Sequence, residues 1–336
     1  MKVFAYSYRK FDEAPYFEKY CKELGIELGY TEEDPTLENA HLAAGYPYIS
    51  ILLTRVDAAL VEEFARLGVK MISNRLIGVD HVDVKRAKEL GIRISNAPYS
   101  SNCVADYTLM LMLMSIRRMR QILRRNEMND FTLPGIQGME MANLTVGVLG
   151  TGKIGRVFAE ICRGFGMRVL AYDKFPDPGS GLCYAALPEL FHQADVISLH
   201  CPLTDETQHM IDAAAIAGMK PGVVIVNTSR GALVDTEALI EGLRSRKIGA
   251  ACLDVYEEEA ELFYEDRSEA IIEDDTLVRL IAMPNVIVSS HQAFLTKEAL
   301  NNIAAVTVDN LLKFGRGEPS PDTEVCAPKE QDQRRS

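Results

Sequence analysis

The sequence predicts an α/β protein built from two doubly wound parallel-sheet domains with a cleft between them. Short apolar segments with strand character alternate with segments of helical periodicity along most of the chain. Such alternation is typical of βαβ units, in which crossover helices cover both faces of a parallel sheet. A long apolar helical segment after Pro98 interrupts the pattern, which resumes near Leu144. The 336 residues are sufficient for two separate cores.

The first alternating unit contains four predicted strands, at residues 2–6, 49–54, 69–73 and 92–96. Its predicted helices cover residues 14–24, 58–67 and 82–90. The unit is expected to end near Pro98, because proline disfavours helix in the residue before it. A single long helix is predicted over residues 104–123, after capping side chains at 100–102. Its leucines and methionines are interpreted as core residues rather than as a cofactor site.

The second alternating unit has strands predicted at residues 145–149, 168–172, 196–200, 223–227, 249–253 and 286–289. Its helices are predicted at residues 154–165, 187–193, 213–219 and 236–245, and a further helix at 296–313. The chain is expected to leave the first domain near Tyr99 and to return to it near Phe294. One domain is therefore predicted to comprise residues 1–99 and 296–336, and the other residues 100–295. The tail after Glu318 is rich in proline and charge and is predicted to be disordered.

Composition excludes several classes of function. The net charge of -12 argues against nucleic acid or an anionic membrane as the main partner, because both require a basic face. The N-terminus has no long apolar run, so no signal peptide is expected, and the apolar segment 109–114 is too short to span a bilayer. The seven cysteines are widely spaced, which predicts reduced thiols, a cytoplasmic location and no metal site.

A glycine-rich turn follows the predicted strand at residues 145–149 and opens a helix. In such a turn the first glycine permits a tight bend, the second allows the backbone to approach a pyrophosphate, and the third allows the helix to pack closely on the strand. Free N–H groups at the helix start then favour the phosphates. The sequence therefore predicts a Rossmann-like dinucleotide site formed by Gly150, Gly152, Lys153, Ile154 and Gly155.

An acidic residue indicates which dinucleotide is bound. Asp173 ends the next predicted strand, 18 residues after Gly155, which is near the spacing expected for a group that binds a ribose diol. A carboxylate there accepts hydrogen bonds from the diol and repels a 2′-phosphate. NAD is therefore predicted rather than NADP, although Lys174 would offset part of this preference.

Four polar residues follow three predicted strands of the second unit. Arg230 follows one strand, Asp254 ends another with Glu259 five residues beyond it, and His291 follows a third. Ligands of open α/β sheets bind at the carboxyl ends of the strands. An arginine that clamps an anion, a histidine that moves a proton and a carboxylate that tunes the histidine are suited to hydride transfer to a 2-oxo acid. The other histidines are assigned structural roles: His41, His81, His192, His200 and His209.

These segments resemble the D-isomer-specific 2-hydroxyacid dehydrogenases. The Thr-Ser-Arg-Gly-x-Leu-Val-Asp segment at 228–235, the spacing of Asp254 and Glu259 and the Ser-His-Gln-Ala segment at 290–293 carry the resemblance, which covers roughly residues 1–320. The segments at 96–100, 105–113 and 257–266 are most similar to the D-lactate dehydrogenase branch, which includes VanH-type and phenyllactate enzymes.

The resemblance implies a role for each polar residue. Arg230 would bind the substrate carboxylate with its planar guanidinium and help to polarise the keto oxygen. His291 would protonate that oxygen, and Glu259 would favour the protonated form of His291. Asp254 would orient the nicotinamide side of the site.

The family also implies further contacts and a homodimer. The substrate is expected to meet the backbone of Ile77 and Gly78 and the side chains of Tyr99 and Phe294. Two serines stand where the family usually has proline, Ser101 near Tyr99 and Ser290 before His291. The cofactor is expected to contact Cys201, Pro202, Thr207, Thr228, Ser229 and Arg230.

The substrate and two alternative functions remain to be distinguished. The aliphatic residues Ile51 and Leu52, with Phe294, predict room for 2-oxo acids larger than pyruvate, such as phenylpyruvate or 2-oxoisocaproate. A D-3-phosphoglycerate dehydrogenase relative would need basic groups for the phosphate, and none is convincingly placed. An NAD(H)-sensing, corepressor-like binding protein would bind the cofactor with negligible turnover.

Overall fold

The computed structural model describes residues 1–259, 262–318 and 320–326 and divides the chain into two compact units. The first unit comprises Met1–Ser100 together with the chain from Leu295 onward, and the second comprises Ser101–Phe294. Two parallel-sheet α/β domains are therefore confirmed. One unit contains both ends of the chain, and the other lies between them in the sequence.

The first segment of unit 1 contains strands β1 (Lys2–Ala5), β2 (Glu27–Tyr30), β3 (Tyr48–Ile51), β4 (Met71–Asn74) and β5 (Arg93–Ser95). Its helices are α1 (Ala14–Leu24), α2 (Ala58–Arg66) and α3 (Val84–Glu89). Unit 2 has helices α4 (Ser101–Ile116), α5 (Met119–Glu127), α6 (Lys153–Gly164), α7 (Leu187–Gln193), α8 (Ala213–Gly218), α9 (Thr236–Arg244) and α10 (Asp275–Ala282). Its strands are β6 (Thr145–Leu149), β7 (Arg168–Tyr172), β8 (Val196–Leu199), β9 (Val223–Asn227), β10 (Ile248–Leu253) and β11 (Val286–Val288). The chain then returns to unit 1 with α11 (Lys297–Gly315) and β12 (Glu324–Cys326).

The sheet of unit 1 has the strand order β12-β5-β4-β3-β1-β2. Five strands are parallel, and β12 is antiparallel to β5, where Arg93 and Glu324 form an ion pair. The prediction of disorder after Glu318 is therefore wrong for β12, which gains a backbone partner at the sheet edge. Residues 319 and 327–336 of the predicted tail lie outside the described residues.

The sheet of unit 2 is parallel throughout and has the order β11-β10-β9-β8-β6-β7. The chain changes direction across the sheet between β7 and β8, on either side of β6. In such sheets the loops at the carboxyl ends of the strands form the ligand site next to this change of direction. The fold therefore places the loops after β6, β8, β9, β10 and β11 along one edge.

The predicted helix at 104–123 is wrong as a single helix. α4 ends at Ile116, Arg118 has a left-handed φ of 54°, and α5 begins at Met119. The interpretation of the leucines and methionines as core residues is confirmed for Leu111 and Met112, which belong to the core of unit 2, and is wrong for Met110, which is 41% exposed. α5 has no buried residue, so the buried face of α4 does not continue beyond the turn at Arg118.

Capping side chains set where several helices begin. In each case a side-chain oxygen accepts a hydrogen bond from the backbone N–H three residues later, which satisfies one of the free donors of the first turn. The caps are Asp57, Asp83, Asp212, Asp235, Asp274 and Thr296. Among the helices of the described ranges, none is long and apolar enough to cross a membrane.

A buried ion pair joins the carboxyl ends of three strands in unit 1. The Arg75 guanidinium, at the end of β4, has no exposed surface, and its Nε lies 3.1 Å from an oxygen of Glu13, which is 2% exposed. Its other donors bind the Ser50 hydroxyl at 3.1 Å and the carbonyls of Tyr6 and Ser7 at 2.8 Å each. Because a buried charge requires both a partner and hydrogen bonds, this arrangement fixes the strand ends relative to one another.

Replacing Glu13 by glutamine should reveal how strongly unit 1 depends on this pair. The variant leaves the Arg75 charge buried without its counter-charge, so the free energy of unfolding is expected to fall by about 3 kcal/mol. Urea unfolding followed by tyrosine fluorescence measures this, with Glu23→Gln on the exposed face of α1 as the matched control. Equal unfolding midpoints for the two variants would show that the ion pair does not stabilise the unit.

Candidate active site

The glycine turn after β6 is shaped by close packing at two of its three glycines. Gly150 has a φ of 92°, and a Cβ there would lie 2.6 Å from the backbone nitrogen of Cys201. A Cβ on Gly155 would lie 2.0 Å from the carbonyl oxygen of Gly150. At Gly152, by contrast, a Cβ would meet no described heavy atom within 4 Å. The turn is therefore packed against backbone at Gly150 and Gly155 and has open space at Gly152. This open space lies at the start of α6, next to Lys153 and Ile154.

Asp173, directly after β7, is bound to this turn. One carboxylate oxygen accepts hydrogen bonds from the Thr151 N–H at 2.6 Å and hydroxyl at 3.0 Å, and the other accepts from the Phe175 N–H at 2.9 Å. Partial burial opposes ionisation, but these hydrogen bonds outweigh it and hold the pKa of Asp173 below its usual value. The carboxylate is therefore ionised near neutral pH. Lys174 is paired with Glu206.

The loop after β8 closes against the turn. Cys201 is 9% exposed, and burial raises the pKa of its thiol to about 11, so it is not a reactive thiolate. The preceding residue, His200, has its pKa lowered to about 3 by burial and is neutral. The Thr207 hydroxyl donates to the Pro202 carbonyl at 2.7 Å and so stabilises the loop.

The loop after β9 is held by its own side chains. Asn227 donates to the Arg230 carbonyl at 2.8 Å and accepts from the Ser229 N–H at 3.1 Å. The Ser229 hydroxyl donates to the Cys201 carbonyl at 2.7 Å, and the hydroxyls of Thr228 and Thr108 lie 2.8 Å apart. The loops after β8 and β9 are thus joined, and the start of the loop is fixed to α4.

Gly231 allows the Arg230 loop to pack against the segment after β10. A Cβ on Gly231 would lie 2.1 Å from the carbonyl carbon of Tyr256. The Tyr256 N–H in turn donates to an oxygen of Glu259 at 2.9 Å. The guanidinium of Arg230 donates to the Ser229 carbonyl at 2.8 Å. Backbone contact therefore links the arginine loop to the acidic segment.

Asp254 holds the turn that follows β11. It has no exposed surface, and its carboxylate accepts the Ser289 hydroxyl at 2.7 Å and the N–H groups of Gln292 and Ala293 at 3.0 and 2.9 Å. Its carbonyl accepts the His291 N–H at 2.6 Å. These carboxylate contacts all lie within the turn after β11. Asp254 therefore fixes the backbone that carries His291.

His291 and Glu259 lie in contact with each other, as a histidine and a carboxylate. His291 adopts a left-handed φ of 48°, and its Nδ1 lies 2.7 Å from Glu259 Oε1. The two side chains are 16% and 14% exposed, so the pair is partly shielded from water but accessible. A contact through Nδ1 leaves Nε2 as the nitrogen available to a substrate oxygen.

A second histidine–glutamate pair involves the same acidic segment, and the sequence did not predict it. His209 Nε2 lies 2.6 Å from Glu257 Oε1, and the Thr236 hydroxyl contacts the other Glu257 oxygen at 3.3 Å. The His209 N–H donates to the Ala232 carbonyl at 2.8 Å in the arginine loop. The assignment of His209 as structural agrees with these contacts. No sequence signal singled out Glu257 from its neighbours.

The residues predicted to contact the substrate differ in exposure. In unit 1, Ile77 is 36% exposed in the turn after β4, with Gly78 next to it, and Tyr99 is partly buried. Phe294, at the end of unit 2, is 5% exposed. Ile51 is fully buried in the core of unit 1, so the expectation that it forms a pocket wall is wrong. Within the described ranges, no group of three or more His, Cys, Asp or Glu residues is arranged to hold a metal ion.

Alanine substitutions at Gly152 and Gly155 should have different effects, one on cofactor binding and the other on stability. Gly152→Ala should leave the melting temperature near the wild-type value and weaken NADH binding by at least about tenfold, because the methyl group occupies the open side of the turn. Gly155→Ala should lower the melting temperature, since its methyl group collides with backbone. Thermal unfolding and NADH fluorescence titration measure both. Wild-type NADH affinity in Gly152→Ala would refute this use of the turn.

Comparison with known proteins agrees with this geometry. The family model for the D-isomer specific 2-hydroxyacid dehydrogenase, NAD binding domain, matches residues 109–293. The chain is 42% identical to a D-lactate dehydrogenase of Escherichia coli K12 over 96% of this chain and 99% of that protein. It is 41% identical to an aromatic 2-oxoacid reductase of Clostridium sporogenes over 97% of this chain and 100% of that protein.

A solved structure extends the likeness to the fold. The structure of D-2-hydroxyisocaproate dehydrogenase superposes with a TM-score of 0.85 at 35% identity, covering 97% of this chain and 99% of that one. The matched family model is that of an NAD-binding domain, so NAD is the cofactor, and the protein is an oxidoreductase. The chain belongs to the D-isomer-specific 2-hydroxyacid dehydrogenases.

Proposed function

We propose that His291 is the proton donor for reduction of a 2-oxo acid to a D-2-hydroxy acid with NADH. The observation that carries the proposal is the 2.7 Å contact between His291 Nδ1 and Glu259 on a turn held by buried Asp254. Glu259 stabilises the imidazolium and fixes its orientation, so that Nε2 delivers the proton to the keto oxygen. In the reverse direction the same nitrogen accepts the proton from the hydroxyl group.

The substrate carboxylate is assigned to Arg230 and to the backbone of Ile77 and Gly78. A guanidinium presents a planar pair of donors that matches a carboxylate, and it also polarises the neighbouring keto group. The loop around Arg230 is fixed by Asn227, whose amide binds its carbonyl at 2.8 Å. Tyr99 and Phe294 are proposed to contact the remainder of the substrate.

The residues around the glycine turn fit a bound NAD. The N–H groups at the start of α6 and the open side of Gly152 suit a pyrophosphate, and ionised Asp173 suits a ribose diol. The nicotinamide side is assigned to Cys201, Pro202, Thr207, Thr228, Ser229 and Arg230, whereas Asp254 is proposed to act through the placement of His291. When bound, the cofactor supplies the hydride, and the protein provides binding, orientation and electrostatics.

Oxidation of NADH by the purified protein with pyruvate, phenylpyruvate, 2-oxoisocaproate and oxaloacetate tests the proposal. A D-configured product is expected, and His291→Ala should lower kcat by at least about 100-fold, as for loss of a general acid. His209→Ala is the matched control, because it disrupts a histidine–glutamate pair of similar length outside the proposed set, and kcat should change by less than about tenfold. NADH binding without turnover on any substrate would instead support a sensor.

The same assay ranks the substrates. Leu52 and Phe294 are 7% and 5% exposed and are proposed to form the apolar wall next to the substrate. We expect phenylpyruvate and 2-oxoisocaproate to be reduced at least as well as pyruvate. The relatives do not decide this, because the E. coli D-lactate dehydrogenase and the C. sporogenes aromatic 2-oxoacid reductase are almost equally similar. A preference for pyruvate of about tenfold or more in kcat/KM would contradict the proposal.

We further propose a cytoplasmic homodimer. Free thiols, as expected in a reducing compartment, are found at Cys21, Cys103, Cys162, Cys183, Cys201 and Cys252. Around α5, Leu123, Phe131 and Leu133 are 46%, 72% and 79% exposed, which is typical of an interaction surface. Sedimentation equilibrium should give about twice the 37.3 kDa chain mass. Leu133→Arg should shift the mass towards the monomer, whereas the equally exposed Phe11→Arg in unit 1 should not; a monomeric wild type would refute the proposal.

A further inference from the structure

The turn after β4 in unit 1 has its carbonyl groups anchored one after another. The Leu76 carbonyl accepts the Ala97 N–H at 3.0 Å. The Ile77 carbonyl accepts the Asn96 side-chain amide at 2.8 Å, and the Gly78 carbonyl accepts the Asn74 side-chain amide at 2.6 Å. Three consecutive carbonyl oxygens are therefore held by residues of the strand ends.

The N–H groups of the same turn are not engaged in this way. In the part of the chain that the structure describes, no group accepts a hydrogen bond from the N–H of Leu76, Ile77, Gly78 or Val79. Fixing the carbonyls in place also fixes the N–H groups of the adjoining peptide planes. Successive backbone N–H groups held in a turn form a site for an anion.

The two asparagines contribute donors at a cost. Asn74 has no exposed surface, and the Oδ1 atoms of both Asn74 and Asn96 are buried without a hydrogen-bond partner in the described structure. A buried acceptor without a partner destabilises the fold, and such groups in native proteins call for an explanation. Here each amide provides the N–H donor that a carbonyl of the turn needs.

The backbone of Asn96 is held in place by α11 and by the segment that follows it. The Asn310 amide in α11 donates to the Asn96 carbonyl at 2.9 Å, and the Thr323 hydroxyl donates to Asn310 Oδ1 at 2.5 Å. The Asn96 N–H donates to the Thr323 carbonyl at 2.9 Å. The start of the turn is fixed by the buried Arg75. Both ends of the turn are therefore attached to the interior of unit 1.

We propose that Asn74 and Asn96 are positioning residues for the 2-oxo acid carboxylate. By binding the carbonyls of Gly78 and Ile77, they keep the N–H groups of this turn directed at the carboxylate before substrate arrives. This rests on the proposed function, in which that turn binds the substrate. It adds two side chains that do not touch the substrate but set the affinity of the site for it, since a preorganised site loses less entropy on binding.

The test compares Asn74→Leu and Asn96→Leu with Asn285→Leu, which removes an amide donor to the Gly249 carbonyl in unit 2. In the first two variants, KM for the best 2-oxo acid and the Kd of oxamate for the enzyme–NADH complex should rise by about tenfold or more, because the N–H groups that bind the charged carboxylate are no longer held in place. The Kd for NADH and kcat should stay within about twofold of wild type, and the control should change neither KM nor the oxamate Kd.

Leucine removes the unpartnered oxygen together with the donor, so folding is expected to be retained and is checked by thermal unfolding. If one of the two variants does not fold, the other carries the same test. Wild-type KM and oxamate affinity in a folded variant, with the wild type active, would overturn the positioning role and leave the proposed function intact. Absence of wild-type turnover on every 2-oxo acid would overturn both.

Discussion

The buried carboxylate of Asp254 is the constraint on which the proposed acid group depends. It accepts hydrogen bonds from Ser289, Gln292 and Ala293 and has no access to water. Because a buried carboxylate is costly unless it is fully hydrogen-bonded, these bonds oppose any rearrangement of the turn after β11. His291 can therefore be kept in a left-handed backbone conformation, which non-glycine residues seldom adopt, with its ring against Glu259.

Polar side chains also hold loop backbone in place at other strand ends of the two sheets. Asp173 binds the glycine turn through Thr151, Asn227 holds the loop around Arg230, and Arg75 joins three strand ends in unit 1. In each case a polar side chain at the carboxyl end of a strand satisfies backbone groups of a loop at the same edge of its sheet. Parallel sheets bring these ends to one edge, and the polar side chains then determine which N–H and side-chain groups remain available to a ligand.

Local pattern was sufficient for much of this structure. The glycine turn, the bounds of β6 and β9 and the order of Arg230, Glu259 and His291 follow from periodicity and motif. What the pattern does not predict depends on contacts distant in sequence. β12 is a strand because it pairs with β5, and β2 is an exposed edge strand without clear alternation.

The helix after Pro98 shows that local pattern can also predict too much regular structure. Its apolar periodicity gave no reason to expect a break, yet the chain turns at Arg118, and α5 has no buried residue. Asp254 lies in a segment that the sequence identified, but its contacts with Ser289 and the turn after β11 could be seen only in the tertiary structure.

The kinetics of Asp254→Asn test most directly the claim that Asp254 places His291. We predict a loss in kcat of at least about 100-fold with NADH affinity within about twofold of wild type, because the change disturbs His291 rather than the cofactor. Weakened NADH binding with kcat preserved would contradict the account and place Asp254 at the nicotinamide.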